Sequence, residues 1–82
     1  KDLLKKELIA ENVNWISGKR PKLPLKIKAK IRYRHIPASA TIHRVQNKRY
    51  KIVFDRAQRA VTPGQSVVFY RGDELLGGGI IK

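Results

Sequence analysis

The sequence predicts an all-β domain in which six short strands form an antiparallel barrel or a tight sandwich. Three observations carry this. Apolar residues alternate with polar ones at period two through the middle of the chain. The candidate strands are rich in β-branched and aromatic residues, which suit a pleated, half-buried surface. Glycine, proline and short polar clusters separate them at the spacing of an all-β fold. Closure would also remove the exposed edges that strands this short would otherwise leave.

Lys1 to Lys6 reads as a frayed, charged lead-in, and Leu8 to Ile16 as the first strand, with an irregularity at Glu11-Asn12. A short amphipathic helix over Asp2 to Ala10 competes, because Leu3, Leu4, Leu8 and Ile9 fall at crude helical spacing. Trp15 is most simply a core anchor, given the area a tryptophan buries, with base stacking as the functional alternative. Ser17 to Pro24 holds two prolines and a glycine and is a loop. Its Pro21-x-x-Pro24 spacing formally matches a polyproline ligand, but a stiff connector explains it as well.

Leu25 to Arg34 is the cleanest periodic segment. Leu25, Ile27, Ala29, Ile31 and Tyr33 alternate with Lys26, Lys28, Lys30, Arg32 and Arg34. Period two places one set on each face of a strand, with same-face neighbours about 6.6–6.8 Å apart. A helix would scatter the same charges around its circumference. Ile36-Pro37 ends or bends this strand. Ala38 to Val45 is the next, followed by a basic turn, Gln46 to Arg49, and a fourth strand, Tyr50 to Phe54, with Tyr50, Ile52 and Phe54 on one side. Asp55 to Arg59 reads as a loop or one helical turn.

Pro63-Gly64 suits the centre of a type II turn, since proline presets the first φ and glycine supplies the positive second one. Ser66 to Tyr70 is the fifth strand, Gly72 the left-handed position of a hairpin loop, and Leu75 to Ile81 the sixth strand. Gly77, Gly78 and Gly79 interrupt that last strand. Three glycines there weaken it entropically and mark a bulge, a corner or a close backbone approach. Arg71-Gly72-Asp73 matches the adhesion triplet recognised by integrins, yet turn formation accounts for these residues.

Eighty-two residues suffice for one domain with one small core, residues 1–82. The chain opens on Lys1 and contains no methionine, so it is expected to be excised from a longer protein. No cysteine is present, which removes disulfides, thiolate metal sites and cysteine nucleophiles from consideration. No apolar stretch approaches the roughly 18–20 residues of a membrane span, so no membrane partner and a cytoplasmic location are expected. His35 and His43 lack further ligands at metal-binding spacing. The six acids form no evident general acid–base pair. Gly77 to Gly79 lacks the Lys-Ser/Thr that completes a phosphate loop. No catalytic constellation is legible.

The net charge of +13 implies an anionic partner. Residues 1–54 carry 15 Lys/Arg against 3 acids, and residues 55–82 carry 4 against 3. Between Lys19 and Arg34 there are eight cations and no acid. Lys26, Lys28, Lys30, Arg32 and Arg34, with Lys48 and Arg49 as outliers, are therefore the candidate nucleic-acid-binding residues, a track of charges able to follow a phosphate backbone without reading sequence. A solvated outer face is the plainer account of the same strand, because lysines also deter edge pairing.

Ala60-Val-Thr-Pro-Gly-Gln-Ser-Val-Val-Phe-Tyr70, then Gly72-Asp73-Glu74 and Leu76-Gly-Gly-Gly-x-Ile81, resemble the C-terminal end of the tRNA-specific 2-thiouridylases. Val13-Asn14-Trp15 and Lys30-Ile31-Arg32-Tyr33-Arg34, followed by Pro37, extend the likeness from about Leu3 to Ile81. Ala57 before Gln58, Arg71 and Leu75 depart from the family's usual residues. The resemblance implies a six-stranded antiparallel barrel like the second domain of elongation factor Tu, following a catalytic and a middle domain. In that family an N-terminal ATP-pyrophosphatase domain adenylates the wobble uridine, and its cysteines deliver persulfide sulfur. Neither its Ser-Gly-Gly-x-Asp-Ser loop nor any cysteine occurs here, so this piece is expected to hold no cofactor and to be inactive alone, while its parent uses ATP. The implied partners are tRNA and the parent's catalytic and middle domains. Two rival readings are a barrel that only braces the catalytic domain, and a flavin-binding reductase barrel, whose Arg-x-Tyr/Phe-Ser/Thr pattern Arg32-x-Arg34 matches poorly.

Overall fold

The computed structural model describes residues 4–31, 36–46, 48–59 and 61–82. Six strands make up the fold: β1 (Leu4–Trp15), β2 (Leu25–Lys30), β3 (Ala38–Gln46), β4 (Arg49–Arg59), β5 (Ser66–Arg71) and β6 (Glu74–Ile81). They close into one barrel in the order β1-β4-β3-β2-β5-β6, and every neighbouring pair is antiparallel. The all-β expectation holds, and of the two architectures left open by periodicity the barrel is the one formed.

Alternation builds the interior. Ile27 and Ala29 of β2, Ala40 and Ile42 of β3, Tyr50, Ile52 and Phe54 of β4, and Val67 and Phe69 of β5 all point inward and are buried. Phe54 and Phe69 are the largest fully buried side chains. Among the described residues the buried side chains are aliphatic or aromatic and none is charged, so apolar burial dominates the core.

β1 meets this core on both sides of an irregularity. Leu8 and Ala10 are buried at even positions, whereas Val13 is buried and Trp15 packs on the core at odd ones. The switch occurs where the β1–β6 register shifts between Glu11 and Asn14, with Asn12 at φ 52°. Without that extra residue, period two would send Val13 and Trp15 to solvent. The Trp15 ring lies edge-on to Tyr50 at 5.5 Å and tilted over Phe69 at 5.7 Å. Its indole N–H donates to the Tyr50 hydroxyl at 3.4 Å.

The β6 glycines make room for β1. Gly77 is paired with Trp15 and Gly78 with Asn14. A Cβ on Gly77 would overlap the Asn14 carbonyl oxygen, and one on Gly79 would lie 2.8 Å from the Val13 side chain. A Cβ on Gly78 would meet the Val67 carbonyl oxygen of β5 at 2.6 Å. The close-approach reading of these residues is therefore correct. In the two turns, Gly64 at φ +90° and Gly72 at φ +61° occupy the left-handed region as expected.

Several boundaries differ from expectation. Leu4 to Lys6 are already strand, not a lead-in, and Leu4 to Ala10 are extended, not helical. β1 stops at Trp15, leaving Ile16 outside it. Asp55 to Arg59 continue β4 where a loop or helical turn is expected. They pair with the start of β1 through Leu4↔Arg59 and Lys5↔Gln58, past a register shift; that long-range partner keeps the chain extended and is invisible to local propensity. β2 ends at Lys30, with Ile31 buried beyond it. The expected continuation through Arg32, Tyr33 and Arg34, together with His35 and the Asn47 part of the basic turn, lies outside the described residues.

Candidate nucleic-acid interface

Because Ile27 and Ala29 face inward, Lys26, Lys28 and Lys30 must face outward on β2. Their environments differ. The Lys26 ammonium is 2.6 Å from both carboxylate oxygens of Asp55, which β4 carries two strands away. The pair is well exposed, at 60% and 48% of the two side chains, so it contributes at most about 1 kcal/mol to stability. It nevertheless occupies the lysine. Asp55 is 29 residues away in sequence, and the β2-β3-β4 run of neighbouring strands brings it to Lys26.

Lys28 and Lys30 are unlike Lys26. Among the described residues neither forms an ion pair. Lys28 lies between Ser39 of β3 and Tyr70 of β5, and Lys30 lies beside Val68 of β5. Arg32 and Arg34 lie outside the described residues.

The two outliers are not brought to this site. Lys48, at φ 45°, sits in the β3–β4 turn, and the Arg49 guanidinium is 3.4 Å from Glu11 of β1. Ser39 pairs with Lys28 whereas Gln46 pairs with Arg49, and the seven steps along β3 between them span about 23 Å. Lys51, opposite His43 on the outer wall, is 3.9 Å from Glu7. Ion pairs thus hold Lys26, Arg49 and Lys51, whereas Lys28 and Lys30 of β2 have none among the described residues.

Tyr70 is the residue that inspection of the sequence alone passes over. It projects outward from β5, half-buried, directly across from Lys28. It also lines two surface grooves, one shared with Lys30, Gln65 and Ser66, the other with Lys28, Pro37 and Asp73. The parity of Ser66 to Tyr70 against buried Val67 and Phe69 was available as a signal. The β2–β5 pairing that sets Tyr70 beside the lysines was not.

Among the described residues no three His, Cys, Asp or Glu side chains are grouped to hold a metal. The end of β1 and start of β6 form a groove of Trp15, Ile16, Leu75 and Leu76 edged by Lys19 and Arg20; Ile16 and Leu75 are exposed there.

Comparison with known proteins adds to this geometry. The chain is 60% identical over 81 residues to the tRNA-specific 2-thiouridylase MnmA of Clostridioides difficile (strain 630), covering 99% of this chain and 22% of that protein. It is 53% identical to tRNA-specific 2-thiouridylase MnmA 2 of Clostridium tetani and 52% identical to tRNA-specific 2-thiouridylase MnmA of Halothermothrix orenii, each over 99% of this chain and 23% of the relative. The chain therefore spans less than a quarter of the length of these relatives, and it matches their C-terminal end. The family model described as the aminomethyltransferase β-barrel domain matches residues 5–81, and with the closed barrel above this places the chain in the aminomethyltransferase β-barrel domain family.

Proposed function

We propose that this barrel is the C-terminal, tRNA-contacting module of a cytoplasmic tRNA-specific 2-thiouridylase, holding substrate for an ATP-dependent catalytic domain elsewhere in the same polypeptide. The observation that carries the reading is identity of up to 60% across essentially the whole chain with proteins of that name. The outward, unpaired Lys28 and Lys30 supply the means. Ammonium groups meeting phosphates release counterions, so binding gains affinity at low salt without reading bases. No step of the thiolation chemistry is assigned to these residues.

Salt titration of tRNA binding by the 82-residue chain tests this. Five strand cations on phosphates would give a slope of log affinity against log salt of about −3.5 to −4.5. With Lys26 held by Asp55 the expected slope is about −2.8 to −3.6, with dissociation constants near 10⁻⁴ to 10⁻⁶ M, roughly the range of non-specific complexes. A flat response refutes the phosphate contact.

A bracing role without RNA contact has its own supporting observation: exposed Ile16 and Leu75 beside Trp15 and Leu76. Such a face suits contact with another domain. The two readings separate in the full-length protein. Lys28→Gln with Lys30→Gln should weaken tRNA binding under the first and leave it unchanged under the second.

A further inference from the structure

We infer that Tyr70 is a stacking platform for an unpaired RNA base, with Lys28 and Lys30 receiving the phosphates on either side. The inference rests on the RNA-contact reading above and specifies the kind of RNA the site takes: a single-stranded or flipped-out nucleotide, not a continuous duplex.

Three observations converge. First, cross-strand register fixes the constellation. Lys28 is directly opposite Tyr70, and Lys30 is one same-face step further along β2, opposite Val68. Directly opposed residues share a face with Cβ atoms about 4.5–5.5 Å apart, and the diagonal neighbour stays within reach of a long side chain. The aromatic ring thus has two ammonium groups along its β2 side, one level with it and one a step further on, and no carboxylate pairs with either among the described residues.

Second, Tyr70 forms the rib between two grooves. One runs past Lys30 to Gln65 and Ser66, the other past Lys28 to Pro37 and Asp73. A polynucleotide crossing the rib would have room for its backbone on both sides. Gln65 and Ser66 are exposed at the mouth of the first groove, where their side chains offer hydrogen bonds that a base edge can use.

Third, the competing aromatic is unsuited. Trp15 is engaged by Tyr50 and Phe69 and ties its indole N–H to Tyr50. Tyr70 has no such ring partner among the described residues. Cations interleaved with an aromatic are how sequence-tolerant single-strand sites hold RNA: the π-face takes any base while the charges follow the backbone.

The test uses the 82-residue chain and two fluorescently labelled RNAs, a single-stranded oligonucleotide and a duplex of equal length. Tyr70→Val keeps strand propensity while removing the ring. It should weaken single-strand binding by about 5- to 150-fold, the range that base–aromatic stacking supports, with the salt slope unchanged and duplex binding nearly unaffected. Tyr70→Phe should bind as the parent does. Lys28→Gln with Lys30→Gln should instead flatten the slope by about 1.4–1.8. In the unsubstituted chain, ring-proton resonances of Tyr70 should move upfield on adding single-stranded RNA, a measurement independent of any variant's folding. If Tyr70→Val binds normally, or loses single strand and duplex alike, the platform is wrong. If the lysine variant still loses affinity and slope, the phosphate reading survives that failure; if it too is unchanged, the RNA reading fails with it.

Discussion

Gly77→Ala decides whether the glycine run of β6 is a weakness or a requirement. On conformational grounds alone alanine should help, because glycine inside a strand costs roughly 0.5–1 kcal/mol relative to alanine. The barrel reverses that sign. The added Cβ would overlap the Asn14 carbonyl oxygen and lie 3.2 Å from the Trp15 Cα. Both are backbone atoms, so β1 must move away from β6. That movement endangers the bond from the Ile16 N–H to the Leu76 carbonyl, now 2.9 Å, worth about 1 kcal/mol. Overpacking adds about 1–3 kcal/mol. Less the conformational gain, the expected loss is about 1–3.5 kcal/mol, and at about 4–8 °C per kcal/mol for a domain this size the melting temperature should fall by roughly 4–28 °C. Thermal unfolding followed by far-ultraviolet circular dichroism measures it. Emission of the sole tryptophan, Trp15, reports the local displacement. Gly72 is the control: at φ +61° with nothing within 4 Å of a Cβ, its substitution is limited by backbone strain, and Gly72→Asn should recover part of what Gly72→Ala loses. Asparagine at 77 should be worse than alanine. A Gly77→Ala melting temperature at or above the parent's would refute the steric account.

Phe69→Ala should cost about 3–5 kcal/mol, enough to populate unfolded chain at room temperature in a domain of marginal stability, as urea titration would reveal. Asp55→Asn should change stability by no more than about 1 kcal/mol yet release Lys26, steepening the salt slope of RNA binding by about 0.7–0.9; an unchanged slope would mean Lys26 never meets phosphate. Lys48→Gln with Arg49→Gln should alter RNA affinity far less than Lys28→Gln with Lys30→Gln when both pairs are compared at 0.15 M salt, roughly physiological ionic strength.

What the sequence discloses here depends on how far apart the interacting residues lie along the chain. The inward set of β2 is legible because period two is a local property, and Ile27 and Ala29 are buried where alternation puts them. The Pro63-Gly64 and Gly72 turns are legible for the same reason. The Glu11-Asn12 irregularity is visible as a break in pattern, but its consequence, the parity switch that brings Trp15 over Phe69, needs the β6 partner. Asp55 to Arg59 carry too few apolar residues to announce a strand, and only pairing with β1 makes them one. The candidate site fared similarly. Outward orientation of the β2 lysines follows from parity, whereas capture of Lys26 by Asp55 and the placement of Tyr70 beside Lys28 depend on contacts 29 and 42 residues apart in sequence.

Net charge and contact are separable, and the barrel separates them. Ion pairs such as Lys26–Asp55 and Arg49–Glu11 leave the net charge of +13 untouched, so the chain as a whole still attracts polyanions. What pairing changes is which cations are free to touch a phosphate. At about 0.15 M salt the screening length is about 8 Å, far shorter than the 39 Å long axis of the molecule. Charges at the β3–β4 turn therefore contribute little to a phosphate held at Lys28, however much they add to the total. Affinity at physiological salt must come from cations within one screening length of one another, and along β2 the same-face spacing of about 6.6–6.8 Å meets that condition. The local arrangement on β2, with Tyr70 set beside it by the β2–β5 register, is thus what would distinguish an RNA-contacting wall from a merely basic protein.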